Sequence, residues 1–169
     1  NNHFLGLNIP AAWYQSLNPL FIMLYTPIFT IMWVKLGKRQ PSSPTKFSTG
    51  MFFAGASYLL MVLPVMMFGA HSKVSPLWLV GSWAIIEVAE MLISPVGLSV
   101  TTKLAPKAFE SQMMSMWFLA NAAGQAVNSQ IVRFFTPENE IAYFTIIGLV
   151  AIAAGIVLAL MVKPVKRLM

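Results

Sequence analysis

Long apolar stretches of similar length follow one another along the chain. Five of them could each cross a membrane as a helix, because a hydrocarbon core about 30 Å thick needs roughly 20 helical residues. They cover approximately residues 12–34, 47–70, 76–100, 112–134 and 141–162. Buried helices of a large soluble protein are the alternative, but five consecutive apolar spans leave too little polar surface for one. The pattern therefore predicts an all-α integral membrane protein whose five transmembrane helices form one bundle over residues 1–169.

The composition excludes an ordinary soluble enzyme. Of the 169 residues, 57% are hydrophobic and only 9% are charged, whereas soluble domains carry about 25% charged residues. Eleven Lys and Arg residues against five acids, all of them Glu, give a formal net charge of +6. The lack of cysteine excludes a disulfide, a thiolate metal site and a cysteine nucleophile.

The basic residues are concentrated in segments that lie on one side of the predicted bundle. Nine of the eleven are on that side: Lys35, Lys38, Arg39, Lys46, Lys103, Lys107, Lys163, Lys166 and Arg167. Basic residues mark the cytoplasmic side of a membrane, so the positive charge is a signal of topology, and no nucleic-acid partner is expected. An odd number of spans then places the N-terminus outside and the C-terminus in the cytoplasm.

The start of the chain is unusual for an external N-terminus. It begins at Asn1 without an initiating Met and without the basic, apolar and small-residue pattern of a signal peptide. Missing upstream helices are the simplest explanation. We therefore expect this sequence to be the C-terminal part of a longer multi-pass membrane protein.

Two acidic residues lie inside the third span. Glu90 is near its middle, where inserting a charged side chain costs roughly 2.5–3.5 kcal/mol, so a cycle between protonated and ionised forms would suit proton coupling. A permanently protonated group, or one paired with a cation on a missing helix, is the structural alternative. Glu87 is one turn earlier on the same face, but it is nearer the outer half, where a water-filled vestibule could solvate it.

Further polar side chains inside the spans are candidates for the same site. Ser94 is one turn after Glu90, and Pro95 removes a helical hydrogen bond, which allows the segment to act as a hinge. In the first span, Gln15 and Asn18 lie three residues apart on one helix face. Their amides could bind a ligand, or they could bond neighbouring helices, as amides in membrane bundles commonly do.

A polar stripe runs along the fourth span. Its members recur at intervals of four, four and three residues: Trp117, Asn121, Gln125 and Asn128. Such a stripe lines either a water-filled path or a seam between helices, and the seam stays open as an interpretation because Ala120 and Gly124 beside it would permit close approach. In the last span, Gly148, Ala151 and Gly155 form one small-residue face that predicts helix packing only.

The sequence predicts neither a metal centre nor an enzyme. His3 and His71 have no partner at metal-ligand spacing, and the motifs of zinc proteases, serine hydrolases and phosphate-binding loops are absent. We therefore expect no metal ligand, no catalytic residue and no cofactor.

Four segments together resemble the bacterial members of the proton-dependent oligopeptide transporter family. They are, in order, residues 15–19 (QSLNP), 90–99 (EMLISPVGLS), 103–106 (KLAP) and 116–121 (MWFLAN). Their order and spacing match the family across nearly the whole chain. The resemblance implies that the five spans correspond to helices 8–12 of a twelve-helix major facilitator fold.

The resemblance also implies roles for individual residues. Asn18, Glu90 and Ser94 match positions that line the central peptide site, and Glu90 is the residue expected to hold the amino terminus of the peptide and to take part in proton coupling. Trp117 matches an aromatic position at the cytoplasmic end of that site. Asn121 matches a polar position that helps to line it.

The function implied by the resemblance is that of the C-terminal part of a proton-coupled di-/tripeptide symporter in the plasma membrane, driven by the proton gradient. Its partners would be di-/tripeptides, protons, the lipid bilayer and the missing N-terminal helices. The chain departs from the family at Glu87, where a neutral residue is usual, and at Ala89, where glycine is usual. Two alternatives stay open: a major facilitator for another substrate, such as a sugar, a drug or nitrate, and a structural subunit that uses the polar stripe as a seam.

Overall fold

Five long helices form the part of the chain that the structure describes, as the hydrophobic pattern predicts. The computed structural model describes residues 3–4, 7–8, 14–69 and 74–166. Within these residues the long helices are α1 (Leu17–Leu36), α2 (Ser43–Phe68), α3 (Leu77–Leu104), α4 (Glu110–Ile131) and α5 (Glu140–Lys166). Asn1, His71 and Arg167 lie outside the described residues.

Short elements precede or connect the helices. One single-turn 3₁₀ helix follows α1 and two flank α4: Gly37–Arg39, Lys107–Phe109 and Val132–Phe134. Gly37 has a positive φ of 46°, which glycine adopts without steric cost, and α1 ends there. Near the N-terminus, β1 (His3–Phe4) pairs antiparallel with β2 (Leu7–Asn8), a small element that the hydrophobic pattern does not predict.

Several helix ends differ from those of the apolar stretches: α1 begins later, at Leu17, whereas α2 and α3 each extend beyond their stretch at one end. α2 begins at Ser43, before the predicted start near residue 47, because Pro44 in its first turn needs no backbone N–H there. α3 likewise continues past residue 100 and has Lys103 in its last turn. Lys side chains at helix ends can extend their ammonium groups to water. Hydropathy therefore marks the hydrocarbon layer rather than the ends of the helices.

Four of the five described helices are long and apolar enough to cross a membrane: Leu17–Arg39, Ser43–Phe68, Leu77–Lys103 and Glu140–Lys163. α4 has sufficient length, with 22 residues, but the polar side chains along it lower its hydropathy. The five-helix architecture is thus confirmed. The fourth predicted span differs from the others because its polar stripe replaces the apolar surface that a lone membrane helix requires.

α2 is the central helix, with α5 against one side and α3 against another. Glycines allow α2 and α5 to approach closely, since a Cβ at Gly55 would lie 2.8 Å from the carbonyl oxygen of Gly148. At the other end of this contact, the Ser48 hydroxyl donates a hydrogen bond of 2.8 Å to the carbonyl oxygen of Gly155. The packing role predicted for Gly148 and Gly155 is confirmed.

α3 connects the remaining helices to α2. The hydroxyl groups of Ser57 on α2 and Ser82 on α3 are 2.8 Å apart, and a Cβ at Gly50 would lie 3.2 Å from the carbonyl oxygen of Ala89. α1 and α4 both pack mainly against α3. α3 is therefore the helix that the first and fourth predicted spans share as a neighbour.

Candidate functional site

A hydrogen bond between α1 and α3 marks the centre of the candidate site. The amide nitrogen Nδ2 of Asn18 donates to the carboxyl oxygen Oε1 of Glu87 at 2.6 Å. Asn18 lies in the first turn of α1, and Glu87 lies in the first half of α3. Because Glu87 engages the nitrogen of the Asn18 amide, the amide oxygen Oδ1 is left to accept hydrogen bonds from other groups.

Glu87 itself is completely buried, with none of its surface exposed. Its second oxygen, Oε2, has no hydrogen-bond partner among the described residues. The water-filled vestibule considered for this residue is therefore wrong, and the physical reason is that α1 packs over this part of α3. Buried polar groups usually have hydrogen-bond partners. The bond from Asn18 therefore compensates in part for the burial of the Glu87 carboxyl group.

Glu90 and Ser94 continue the polar face along α3. Their spacing from Glu87 places all three on neighbouring positions of the helix surface. Glu90 is half-buried and Ser94 is exposed, so exposure increases from one turn to the next. α3 runs through Pro95 without interruption. Asn18 and Glu87 are thus in direct contact, and Glu90 and Ser94 follow at successive turns of the same helix.

Trp117 of α4 lies directly against Gly97 of α3. A Cβ at position 97 would overlap the indole ring of Trp117, so this ring can occupy its place only because residue 97 has no side chain. The ring also meets Phe47 of α2 edge-on, with centroids 6.4 Å apart. Gly97 is one turn beyond Ser94, and Trp117 therefore borders the polar face at that end.

The polar stripe of α4 is open to the surroundings of the chain. Asn121, Gln125 and Asn128 are all exposed, and a Cβ at Gly124 would meet no atom within 4 Å. The seam considered as an alternative for this stripe is therefore not formed with any of the described helices. Asn121 follows Trp117 by one turn and extends the polar face onto α4.

Two contacts in the candidate site are not predicted by the sequence. The Asn18–Glu87 contact was not predicted, because position along a span says nothing about which side of α3 is covered by α1. The contact of Trp117 with Gly97 was not predicted either, although a signal exists. A glycine inside a helix usually has a packing reason, and Gly97 belongs to the segment at residues 90–99 that carries the family resemblance.

The candidate site thus has carboxyl, amide and hydroxyl groups along α3 and the start of α1, with the indole of Trp117 packed at the Gly97 end. Polar groups inside membrane helices are costly and mark pathways or binding sites, and transporter sites lie near the bilayer midplane between helices. The fold is that of a multi-pass membrane protein, since four of the described helices are long and apolar enough to cross a bilayer. The chain belongs to the POT family, whose sequence profile matches residues 1–150.

Relatives with known sequences match nearly all of this chain, but the chain matches only part of each relative. It is 52% identical over 164 residues to the uncharacterized transporter YclF of Bacillus subtilis. The matched region covers 97% of this chain and 33% of YclF. The chain is 51% identical over 162 residues to a di-/tripeptide transporter of Lactococcus lactis subsp. cremoris, covering 96% of this chain and 33% of that protein. The chain therefore spans about a third of the length of these relatives.

Solved structures agree with these relatives. A mutant of the peptide transporter POT in complex with alafosfalin matches with a TM-score of 0.94 and 51% identity, over 100% of this chain and 35% of that one. A POT family transporter in complex with 5-aminolevulinic acid matches with a TM-score of 0.88 and 40% identity, over 96% and 34% of the two chains. The family resemblance and the all-α membrane fold are thereby confirmed, and the alternative classes are not favoured.

Proposed function

We propose that this chain contributes half of the peptide-binding site of a proton-coupled di-/tripeptide symporter. Related chains named di-/tripeptide transporters share about half of its residues, and this identity supports the proposal. The structural observation that carries it is the Asn18–Glu87 hydrogen bond of 2.6 Å. This bond holds an amide of α1 against α3 one helical turn before Glu90.

Glu90 would bind the amino terminus of the peptide. An ionised carboxylate at membrane depth is costly when alone, but a charge-assisted hydrogen bond to a peptide ammonium compensates for that cost. We propose that a proton entering with the peptide from outside passes to Glu90 and neutralises it, which weakens the hold on the ammonium group and releases peptide and proton on the cytoplasmic side, as symport requires.

Neutral groups would recognise the rest of the peptide. Asn18, Ser94 and Asn121 would form hydrogen bonds with its backbone, because amides and hydroxyls can satisfy both N–H and C=O groups. Glu87 would act as a positioning residue, since it engages the nitrogen of the Asn18 amide and directs the amide oxygen to a peptide N–H. Trp117 would close the cytoplasmic end of the site.

The proposed setting is the plasma membrane, with the N-terminus of this chain outside and the C-terminus in the cytoplasm. The segregation of basic residues to one side supports this orientation. The remaining helices of the transporter would supply the opposite wall of the site, and alternating access would rock the two parts around it. The proton gradient would be the driving force, and the site would use no cofactor.

The proposal is tested by dipeptide uptake into proteoliposomes containing the complete transporter under an inward proton gradient. Glu90→Gln should abolish uptake while the protein remains folded, as judged by thermal unfolding. Glu138→Gln is the matched control, because Glu138 is an exposed acid in the turn before α5. Full uptake by the Glu90 variant would contradict the proposal, and loss of folding would instead support a structural role. Gradient-driven uptake of a sugar or nitrate, but not of dipeptide, would indicate a different substrate.

A further inference from the structure

We propose that a cavity between α1, α2 and α3 binds the phosphate-containing headgroup of an anionic phospholipid. The cavity has a volume of about 600 Å³ and lies where α1 ends, α2 begins and α3 ends. It is separate from the candidate peptide site, because neither Asn18 nor Glu90 lines it. The inference is therefore independent of the proposed transport function.

Two ammonium groups give the cavity its charge. Lys46 of α2 and Lys103 of α3 both line it, and no acidic residue among the described ones does. Because both side chains line the same cavity, an anion bound there would be attracted to two cations at once. Lys46 is held in place from two sides. Its Nζ lies 3.9 Å from the centre of the Trp33 ring and donates a hydrogen bond of 2.9 Å to Oε1 of Gln40.

The start of α2 adds further positive potential at the same cavity. Ser42 and Ser43 line the cavity, and the side chain of Ser42 does not cap the helix. The Ser42 hydroxyl is instead 2.8 Å from the hydroxyl of Thr45. The uncapped N-terminus of a long helix carries partial positive charge and unpaired backbone N–H groups, which favour an anion.

Part of the cavity lining is better suited to a lipid than to a free anion. Phe29, Met91 and Val96 make this part apolar. The hydroxyls of Thr26 and Thr30, which also line it, donate to carbonyl oxygens of their own helix at 2.6 and 2.7 Å. The cavity is therefore lined by basic residues in one part and apolar residues in another, which suits a molecule with an anionic head and an apolar body. Basic pockets between membrane helices commonly bind anionic lipid headgroups.

The first test compares lipid binding by the complete transporter in detergent, using native mass spectrometry with phosphatidylglycerol or phosphatidylcholine. Each basic residue near an anionic lipid contributes about fivefold to affinity. The double variant Lys46→Gln/Lys103→Gln should therefore bind phosphatidylglycerol roughly 25-fold more weakly. The matched control is Lys38→Gln/Lys107→Gln, which removes two exposed lysines outside the cavity and should change affinity by less than about twofold. Equal weakening in both variants would overturn the proposal.

A second variant tests the cavity without changing its charge. Ser99 lines the cavity, so Ser99→Phe should fill it and weaken phosphatidylglycerol binding while both lysines remain. Unchanged binding by this variant would show that the lipid binds to surface charge rather than in the cavity, and would overturn the proposal. Inorganic phosphate is the soluble probe. If phosphate raised the unfolding temperature through Lys46 and Lys103 and phosphatidylglycerol did not bind, the lipid assignment would be wrong.

Discussion

Asn18 on α1 donates a hydrogen bond of 2.6 Å to Glu87 on α3, across 69 residues of sequence. Glu87 is completely buried, whereas Asn18 is only half-buried. The bond therefore connects a hidden acid to an amide that is still partly exposed. In the proposed site the two residues would have different tasks: Asn18 would contact the substrate, and Glu87 would determine how the Asn18 amide is oriented.

Substitution of Glu87 should affect peptide affinity through Asn18. Glu87→Leu removes the acceptor and should raise the KM for dipeptide roughly fivefold with little change in kcat, because a hydrogen bond contributes about 1 kcal/mol. Glu87→Gln retains an acceptor oxygen and should stay close to wild type. Uptake kinetics in proteoliposomes containing the complete transporter measure both parameters.

A double-substitution cycle separates positioning from direct binding. If Glu87 acts only through Asn18, the KM of the combined Asn18→Ala/Glu87→Leu variant should be no higher than that of Asn18→Ala alone. Additive effects on KM would instead mean that Glu87 has a role of its own. A Glu87→Gln variant as impaired as Glu87→Leu would show that the acidic group, rather than its acceptor oxygen, is what matters.

Gly97 should tolerate no side chain. Gly97→Ala places a Cβ where the Trp117 ring lies, and overpacking of this kind costs about 1–3 kcal/mol. Thermal unfolding of the purified complete transporter should show a lower midpoint for this variant. Gly124→Ala is the matched control, since a Cβ at Gly124 meets no atom of this chain within 4 Å and alanine favours a helix interior.

A rescue experiment identifies the cause of the Gly97 effect. Trp117→Ala should restore space for the new methyl group, so the combined variant should lose less stability than the sum of the two single substitutions. Strict additivity of the two changes in unfolding free energy would contradict the packing of Trp117 on Gly97.

The serine pair between α2 and α3 should stabilise the bundle modestly. Ser57 is 3% exposed, and its hydroxyl is 2.8 Å from that of Ser82. Ser57→Ala should lower the unfolding free energy by about 0.6 kcal/mol, the average for polar contacts between membrane helices. Ser115→Ala serves as control, because the Ser115 hydroxyl is exposed and bonds only its own helix. Equal losses in the two variants would argue against a role for the interhelical pair.

Hydropathy predicts the number and order of the helices because each one must match the thickness of a bilayer. It does not predict where they end, since α2 and α3 continue into turns that contain Lys46 and Lys103. The pattern also predicts α4 as a membrane span, whereas α4 is not among the described helices whose hydropathy is high enough for a membrane-crossing helix. The residues that lower its hydropathy are the same ones that make it a candidate wall of the site.

The candidate site is only partly predictable because sequence spacing gives positions along a helix, not contacts across helices. Glu90 and Ser94 follow from spacing on one helix, and the structure places them on one side of α3. Glu87 has the same kind of spacing, yet its environment differs because α1 covers it. That difference depends on the packing of α1 against α3, which no pattern within α3 encodes.

The binding of a dipeptide and of its N-acetylated form by the complete transporter, with and without Glu90→Gln, tests the proposed role of Glu90 most directly. Acetylation removes the ammonium group that Glu90 is proposed to hold. The wild-type protein should prefer the free dipeptide by roughly 10-fold or more, since a hydrogen bond to a charged group contributes about 1.5–3 kcal/mol. In the Glu90→Gln variant this preference should fall close to one. A variant that retains the full wild-type preference would contradict the assignment of Glu90 as the residue that binds the amino terminus.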